Sequence, residues 1–376
     1  MPIPQTKTSR RNFLAASAGA AVSAALPASP AFPFDPATEG LSALGATPSK
    51  PQRIILDTDP GVDDAMAIFL ALRSPELQVE AVTPVSGNVP LAFTLPNALR
   101  LIEIAGRPEI PVAAGAAVPL VRRLVTAAYV HGNNGLGGVE FPEPKIKPVT
   151  ENATDLIRRI VRANPGEIAI VAVGPLTNIA TALKGDPAIA PMIQSFVLMG
   201  GSLSGGNITP AAEFNFYVDP EAARIVFDSG VPITMVGLDV TNKVLLHESQ
   251  VRILEAAQNP ISQAAGKIMR ATMSRIKPTN DETVVAMHDP LTVASLIDPS
   301  VVTLKDYYVQ IETTGEMTAG MSVGYYRGPV RRSPPMDTGA SGPIPTEEFK
   351  PNCKVAIGVD PDKFFRLLLP RLTQSA

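Results

Sequence analysis

Four aspartates fall within eight positions of the stretch "DTDPGVDD": Asp57, Asp59, Asp63 and Asp64. They stand between a run of β-branched and leucine residues at 53–56 and an apolar helical pattern at 65–72. Carboxylates gathered at the mouth of a core repel one another, and burial penalises each charge further. Asp59 precedes Pro60, which biases it toward an extended conformation. Pro60 and Gly61 then turn the chain, so that Asp63 and Asp64 enter the first turn of a helix. Free backbone N–H groups there favour negative charge by about 0.3 to 1 kcal/mol per group, too little to offset several carboxylates at low dielectric. A hard divalent cation does offset them. Oxygen ligands without cysteine select Ca2+ or Mg2+ over zinc.

Three narrower readings compete. Helix capping explains one or two of these aspartates but not four. An EF-hand loop is excluded, because after Asp57 and Asp59 the next ligand position is Gly61 and the obligatory glycine position is Val62. A phosphatase built on an aspartate nucleophile carries D-x-D after its first strand. Its pattern resembles D-x-D-x-T or D-x-D-x-V, however, and here the fifth position is Gly61.

The elements that must position these groups follow from periodicity. Strands are expected over 53–56, 79–85, 168–173, 196–199 and 233–236, and helices over 65–72, 98–105, 153–163 and 220–227. In the third helix Ile157, Ile160 and Val161 keep the spacing of one buried face. Such alternation means an α/β fold with an open, mainly parallel, Rossmann-like sheet flanked by helices. Ligands bind such sheets beyond the carboxyl ends of the strands, and that is where the polar residues fall. Asp57 and Asp59 follow the first strand, and Asn88 in "SGN" follows the second. "GPLTN" follows the third, and "GGSLSGGNITPAAEFN" follows the fourth with Asn207, Glu213 and Asn215. "HDP" adds His288 and Asp289. The stretch 328–351, dense in Pro and Gly, reads as a long surface loop, and "CKVAIGVDPDKFFRLLL" as a last strand and helix.

Composition bounds the rest. The 376 residues are 45% hydrophobic and 18% charged, with a formal net charge of -3. That is ample for a core, in two domains or in one large α/β domain, here read as a single domain over 51–376. No Lys/Arg stripe exists to neutralise phosphates, which argues against nucleic acid as a partner. There is no Trp, and the one cysteine, Cys353, excludes an internal disulfide and any cysteine metal site. Cys353 is expected in the core or a strand. Residues 1–31 hold Arg10 and Arg11, then Phe13 and Leu14, an Ala-rich apolar run and a small-residue end. These features make a secretory signal resembling the twin-arginine type, too short to span a bilayer. Residues 32–50 read as a Pro/Gly/Ser-rich linker. The expected location is therefore periplasmic or secreted, with no stable membrane association once the signal is removed.

"DTDPGVDDA" at 57–65 resembles the signature of the nucleoside hydrolases, the inosine-uridine-preferring N-ribohydrolases. The resemblance extends through "SGNV" at 86–89, "HGNNGLGG" at 131–138, "VGPLTNIA" at 173–180, "VLMGG" at 197–201, "GNITPAAEFNFYVDPEAA" at 206–223 and "HDPL" at 288–291. These seven motifs stand in the family's order. The resemblance implies Ca2+ held by Asp59, Asp64, Asp289 and the Val173 carbonyl, with a water and the ribose 2′ and 3′ hydroxyls completing the shell. It makes Asp59 the general base as well. Asp63 and Asn88 would meet the 2′-hydroxyl, Asn215 the 3′-hydroxyl, and Asn207 and Glu213 the 5′-hydroxyl, with Met199 lining the ribose pocket. Asp57 would support the metal ligands from behind. His131 and His288 fall on the base side, with His288 implied as proton donor to the leaving base, while His247 is expected to be an ordinary helix-start residue.

The implied reaction is hydrolysis of the N-glycosidic bond of ribonucleosides, serving purine and pyrimidine salvage in a homo-oligomer, dimer or tetramer. It explains the aspartates physically. N-ribosidic cleavage builds positive charge on the ribose, which carboxylates stabilise, while the cation offsets their repulsion and activates a water. Two other classes compete: an exported nucleoside- or sugar-binding protein, which has no need of a carboxylate-bound calcium, and a Mg2+-dependent phosphatase. The sequence does not identify the base; a loop over 270–287 is expected to cover it.

Overall fold

A computed structural model describes residues 50–276, 282–326 and 350–374, with the short strands at 330–331 and 346–347. The first half runs β1 (Gln52–Thr58), α1 (Val62–Leu72), β2 (Leu77–Pro84), α2 (Leu91–Ile104), α3 (Ala128–His131), α4 (Ala153–Ala163), β3 (Ile168–Ala172) and α5 (Thr177–Gly185). Then come β4 (Ser195–Met199), α6 (Phe214–Val218), α7 (Pro220–Phe227), β5 (Ile233–Val236), α8 (Leu238–Thr241) and β6 (Leu245–Leu246). Next are α9 (Glu248–Ala256), α10 (Pro260–Met273), β7 (Val285–Ala286), α11 (His288–Ile297), β8 (Val302–Ile311) and β9 (Ser322–Tyr325). The chain ends with β10 (Val330–Arg331), β11 (Thr346–Glu347), β12 (Cys353–Val359) and α12 (Pro361–Thr373).

Eight strands form the central sheet in the order β2-β1-β3-β4-β5-β12-β8-β9. The pairings from β2 through β12 are parallel, and β8 and β9 add an antiparallel edge. Alternation along the strands decides which layer each side chain joins. Ile54 and Leu56 pack on one face with α1, α10, α11 and α12. Ile55 points to the other, with Ile170, Phe196, α4, α5 and α7. With both faces covered, the strands read as continuous apolar runs. Every residue of α1 is buried, which explains why its apolar pattern runs all round the helix.

The sheet grows in opposite directions from β1, to β2 on one side and β3 on the other. The crevice at this reversal is where open α/β sheets bind ligands. Val173 N–H donates to the Asp57 carbonyl at 2.8 Å and Val85 N–H to the Thr58 carbonyl at 2.9 Å, so three strand ends meet there.

Three expectations change. The helix expected at 98–105 starts at Leu91, with Pro96 inside it. Proline removes one interior hydrogen bond, and reading it as a stop shortens the helix. The loop expected over 270–287 begins later, since 270–273 is the last turn of α10, and it ends in β7. The antiparallel β8 and β9 were not anticipated. Cys353 lies buried on β12, and His247 is the N-cap of α9, as expected. The signal at 1–31, the linker up to residue 49 and residues 277–281 lie outside the described residues, as does most of 328–351, where the paired β10 and β11 are described. Among the described residues no helix is long and apolar enough to cross a membrane.

Candidate active site

The end of β1 and the start of α1 place the aspartates. Asp57, Asp59 and Asp64 are fully buried, and Asp63 nearly so. Asp64 caps the first turn of α1 from within: its Oδ2 accepts from Gly61 N–H at 2.9 Å and from Asn88 Nδ2 at 2.9 Å. Its Oδ1 accepts from Thr58 Oγ1 at 2.6 Å and Asp59 N–H at 3.1 Å. Four donors therefore fix this carboxylate. Asp57 is tied at Oδ2 to Thr83 Oγ1 (2.6 Å) and Asn178 Nδ2 (2.8 Å), locking β1 to β2 and to α5. Its Oδ1 has no partner.

Asp289, on the first turn of α11, meets Asp63 and Asp64 so that one carboxylate oxygen from each lies within 4.8 Å of the others, all buried. This trio includes Asp63 where the sequence reading placed Asp59. The reason is local. Asp59 Oδ2 accepts Asn88 N–H at 2.7 Å, which draws its carboxylate toward the loop after β2. Its buried Oδ1 is left without a partner.

Electrostatics make the cluster costly without a cation. Burial, then the Asp64 charge, pushes Asp63 up to about 7. Burial first, with neighbouring carboxylates next, holds Asp59 and Asp289 well above the usual carboxylate range. Burial likewise pushes Asp57 up to about 7. A divalent cation offsets the repulsion among the clustered carboxylates, and the donor set is entirely hard oxygen. An orphaned carboxylate oxygen beside three clustered carboxylates fits such an ion.

Across the crevice, Asn215 Nδ2 donates to the Val173 carbonyl at 2.9 Å and to the Met199 carbonyl at 3.2 Å. Glu213 caps α6, its Oε1 accepting from Asn215 N–H (2.8 Å) and its Oε2 from Gly201 N–H (3.0 Å) and Phe216 N–H (3.2 Å). Burial still pushes it up to about 7. Asn207 is exposed at the rim, its Oδ1 accepting from Phe214 N–H at 2.9 Å.

His131 is buried; its Nδ1 accepts Val62 N–H at 3.1 Å and stands 4.0 Å from Asp63 Oδ1. Burial first, then His288 and Arg275, lowers it to about 3. His288, half-buried, shares a 2.7 Å hydrogen bond between Nδ1 and Thr241 Oγ1, and burial lowers it to about 4. The structure thus gathers Asp59, Asp63, Asp64, Asp289, Asn88 and His131 on one side of the crevice, and Val173, Met199, Glu213 and Asn215 on the other. Residues the sequence reading missed are the supports: Thr58, Thr83, Asn178 and Thr241, together with Gly87 and Gly174, which close on Asp59. Thr58, Gly87, Gly174 and Asn178 lay inside quoted motifs, which was their available signal.

A carboxylate-lined crevice at the switch point of an α/β sheet, with a cluster that could hold a cation, fits a metal-assisted hydrolase. The model of the inosine-uridine preferring nucleoside hydrolase family matches residues 54–366. A pyrimidine-specific ribonucleoside hydrolase, RihA, of Salmonella gallinarum is 43% identical over 321 residues, covering 85% of this chain and 97% of the relative. Among solved structures, a plant nucleoside hydrolase, PpNRh1, superposes with a TM-score of 0.77 at 36% identity, covering 87% of this chain and 100% of that one. A purine-preferring ribonucleoside hydrolase from Gardnerella vaginalis gives 0.75 at 33% identity, covering 85% and 98%. The chain belongs to the nucleoside hydrolase family, enzymes that act on N-glycosyl bonds.

Proposed function

We propose that this enzyme hydrolyses ribonucleosides with Ca2+ as its metal, accepting both inosine and uridine. One observation carries the reading: the buried meeting of Asp63, Asp64 and Asp289 beside the unpartnered Asp59 Oδ1. In this reading Asp59, Asp64, Asp289 and the Val173 carbonyl hold the ion. Bound there, Ca2+ offsets the repulsion among the carboxylates and makes a neighbouring water more acidic.

The residues supply the remaining chemistry. Asp59 Oδ1, free of protein donors, takes a proton from the water that attacks C1′. Asn88 donates through Nδ2 to Asp64 Oδ2 and the Asp59 carbonyl, which leaves its Oδ1 to accept from the 2′-hydroxyl beside Asp63. Asn215 likewise gives its Nδ2 to Val173 and Met199, leaving Oδ1 for the 3′-hydroxyl. Glu213 and Asn207 take the 5′-hydroxyl, and Met199 packs beneath the sugar. The carboxylates stabilise the positive charge that builds on the ribose as the bond to the base breaks. His131 and His288 face the base as neutral imidazoles, so His288 donates a hydrogen bond to the leaving base. Relatives named for pyrimidine and for purine substrates share this scaffold, which supports a common ribose end with a variable base side. Export through the twin-arginine-like segment belongs to the same reading and is supported by Arg10, Arg11, Phe13 and the apolar run after them.

The test is to incubate the purified protein with a panel of ribonucleosides and nucleotides and quantify free base and phosphate. Free base from uridine and inosine is the expected result. Phosphate release, or tight binding without turnover, would contradict the proposal.

A further inference from the structure

Asn97 is a polar residue in the middle of α2, only 2% exposed. Its Nδ2 donates to the Asn134 carbonyl at 2.8 Å and to the Pro60 carbonyl at 3.3 Å. One amide thus joins two separate segments, the turn that carries Asp59 and Gly61 and the loop that follows His131. Arg100, a turn further along α2, sets the direction of the amide. Its Nη1 donates to Asn97 Oδ1 at 3.3 Å while its Nε donates to the Pro142 carbonyl at 3.2 Å. Gly135, at φ 84°, admits the contact, since a Cβ there would stand 2.9 Å from both Asn97 Nδ2 and the Pro60 carbonyl oxygen. The loop that Asn97 grips is itself closed. Gly137 N–H donates to the His131 carbonyl at 2.8 Å. Asn134 knits the rest, its Oδ1 accepting from Leu136 N–H (3.1 Å) and Gly138 N–H (2.9 Å) and its Nδ2 donating to the Val139 carbonyl (2.9 Å). Residues 131–139 therefore form one hydrogen-bonded piece with His131 at its head.

We propose that Asn97 is a positioning residue for the hydrolysis: it locks the 131–139 loop to the aspartate turn and so fixes where His131 stands relative to Asp63. The inference rests on the site reading given above. Val62 N–H donates to His131 Nδ1 at 3.1 Å, so the neutral ring carries its proton on Nε2. One hydrogen bond does not fix a ring, and the backbone that carries it has to be held as well. Asn97 holds it from α2, with both N–H groups on carbonyls and its oxygen on a guanidinium, so that the amide is fully used. Truncating it leaves two carbonyls short of a donor, and the loop is then free to draw away from the turn. Asp64 stays in place, because its four donors come from Thr58, Asp59, Gly61 and Asn88 and none from Asn97. Loss of Asn97 therefore displaces His131 and spares the metal cluster.

The experiment is a double-mutant cycle on uridine and inosine with wild type, Asn97→Ala, His131→Ala and the double variant, read beside Ca2+ bound per chain and a thermal melt. Asn97→Ala should lower kcat by at least about tenfold, as a displaced group near the chemistry does. KM and calcium affinity should stay within about threefold of the parent, since the ribose contacts and Asp64 keep their own partners. On the His131→Ala background the same substitution should cost less than about threefold, because the group it positions is gone. A residue that only stabilised the fold would give losses that multiply in the double variant. Arg100→Met, which leaves Asn97 in place but frees its amide to turn, repeats the cycle should Asn97→Ala fail to fold, with a smaller loss that His131→Ala again absorbs. Multiplying losses in the cycle that folds, a calcium affinity that falls along with kcat, or parental kcat in Asn97→Ala or in His131→Ala would overturn the inference. A wild type that cleaves no ribonucleoside would overturn the site reading itself, and this inference with it.

Discussion

Gly174 touches Asp59: a Cβ on Gly174 would stand 2.5 Å from Asp59 Oδ1. Gly87 closes the other side, where a Cβ would stand 2.1 Å from Asp59 Oδ2. The carboxylate is thus held between the loops that follow β2 and β3, and its free oxygen points where no protein donor reaches. Both glycines serve close approach. Gly174→Ala should displace Asp59, cutting kcat/KM by at least about 10²-fold as a misplaced catalytic group does, with an overpacking cost of about 1 to 3 kcal/mol. Steady-state kinetics beside a thermal melt check this, and parental kinetics would show that the contact does not matter.

Asp59→Asn keeps the shape and removes the base. A positioned base contributes about 10² to 10⁴-fold, so turnover should fall by that much while the far-ultraviolet circular dichroism stays unchanged. Turnover within tenfold of the parent rules out the role.

Stability should depend on pH in a definite direction. Asp57, Asp63 and Glu213 are pushed up to about 7, by burial first in each case. The folded, metal-free protein therefore holds protons that the unfolded chain has released, and its stability falls as pH rises. The contribution is fully present below the ordinary carboxylate range and is lost as pH climbs through about 7. Melts of chelator-treated protein from about pH 5 to about pH 8 should show a falling Tm, and added Ca2+, which favours the ionised carboxylates, should remove most of the fall. A Tm that rises or stays flat without metal contradicts this.

The sugar should be read strictly. A 2′-deoxynucleoside leaves Asp63 and Asn88 without their hydroxyl, and polar sites reject such analogues strongly. Inosine should exceed 2′-deoxyinosine by at least roughly 10²-fold in kcat/KM, about 2.7 kcal/mol. Equal rates would mean that the ribose contacts are wrong.

Much of this site was legible because its chemistry is local. Asp59-Pro60-Gly61 turns the chain between an apolar strand and an apolar helix, so one short stretch announces strand end, turn and carboxylates together. Five of the six parallel strands, β1 to β5, were readable as apolar runs because both their faces are covered. β8 escaped notice because its burial is irregular and its partners, β12 and β9, come later in the chain. Asp63 joining Asp64 and Asp289 was hidden for another reason: which oxygen Asp59 offers depends on Asn88 N–H, a contact made 29 residues away.

The most direct measurement is a calcium titration of the metal-stripped enzyme, following free base released from uridine and inosine alongside the ion bound per chain. With hard-oxygen ligands only, activity should vanish with EGTA and return in proportion to bound Ca2+, saturating at one ion per chain. Asp64→Asn and Asp289→Asn should weaken both binding and recovery. Full turnover by enzyme shown to be free of metal, or recovery that does not follow bound Ca2+, would contradict the claim that these buried aspartates share an ion and a sugar.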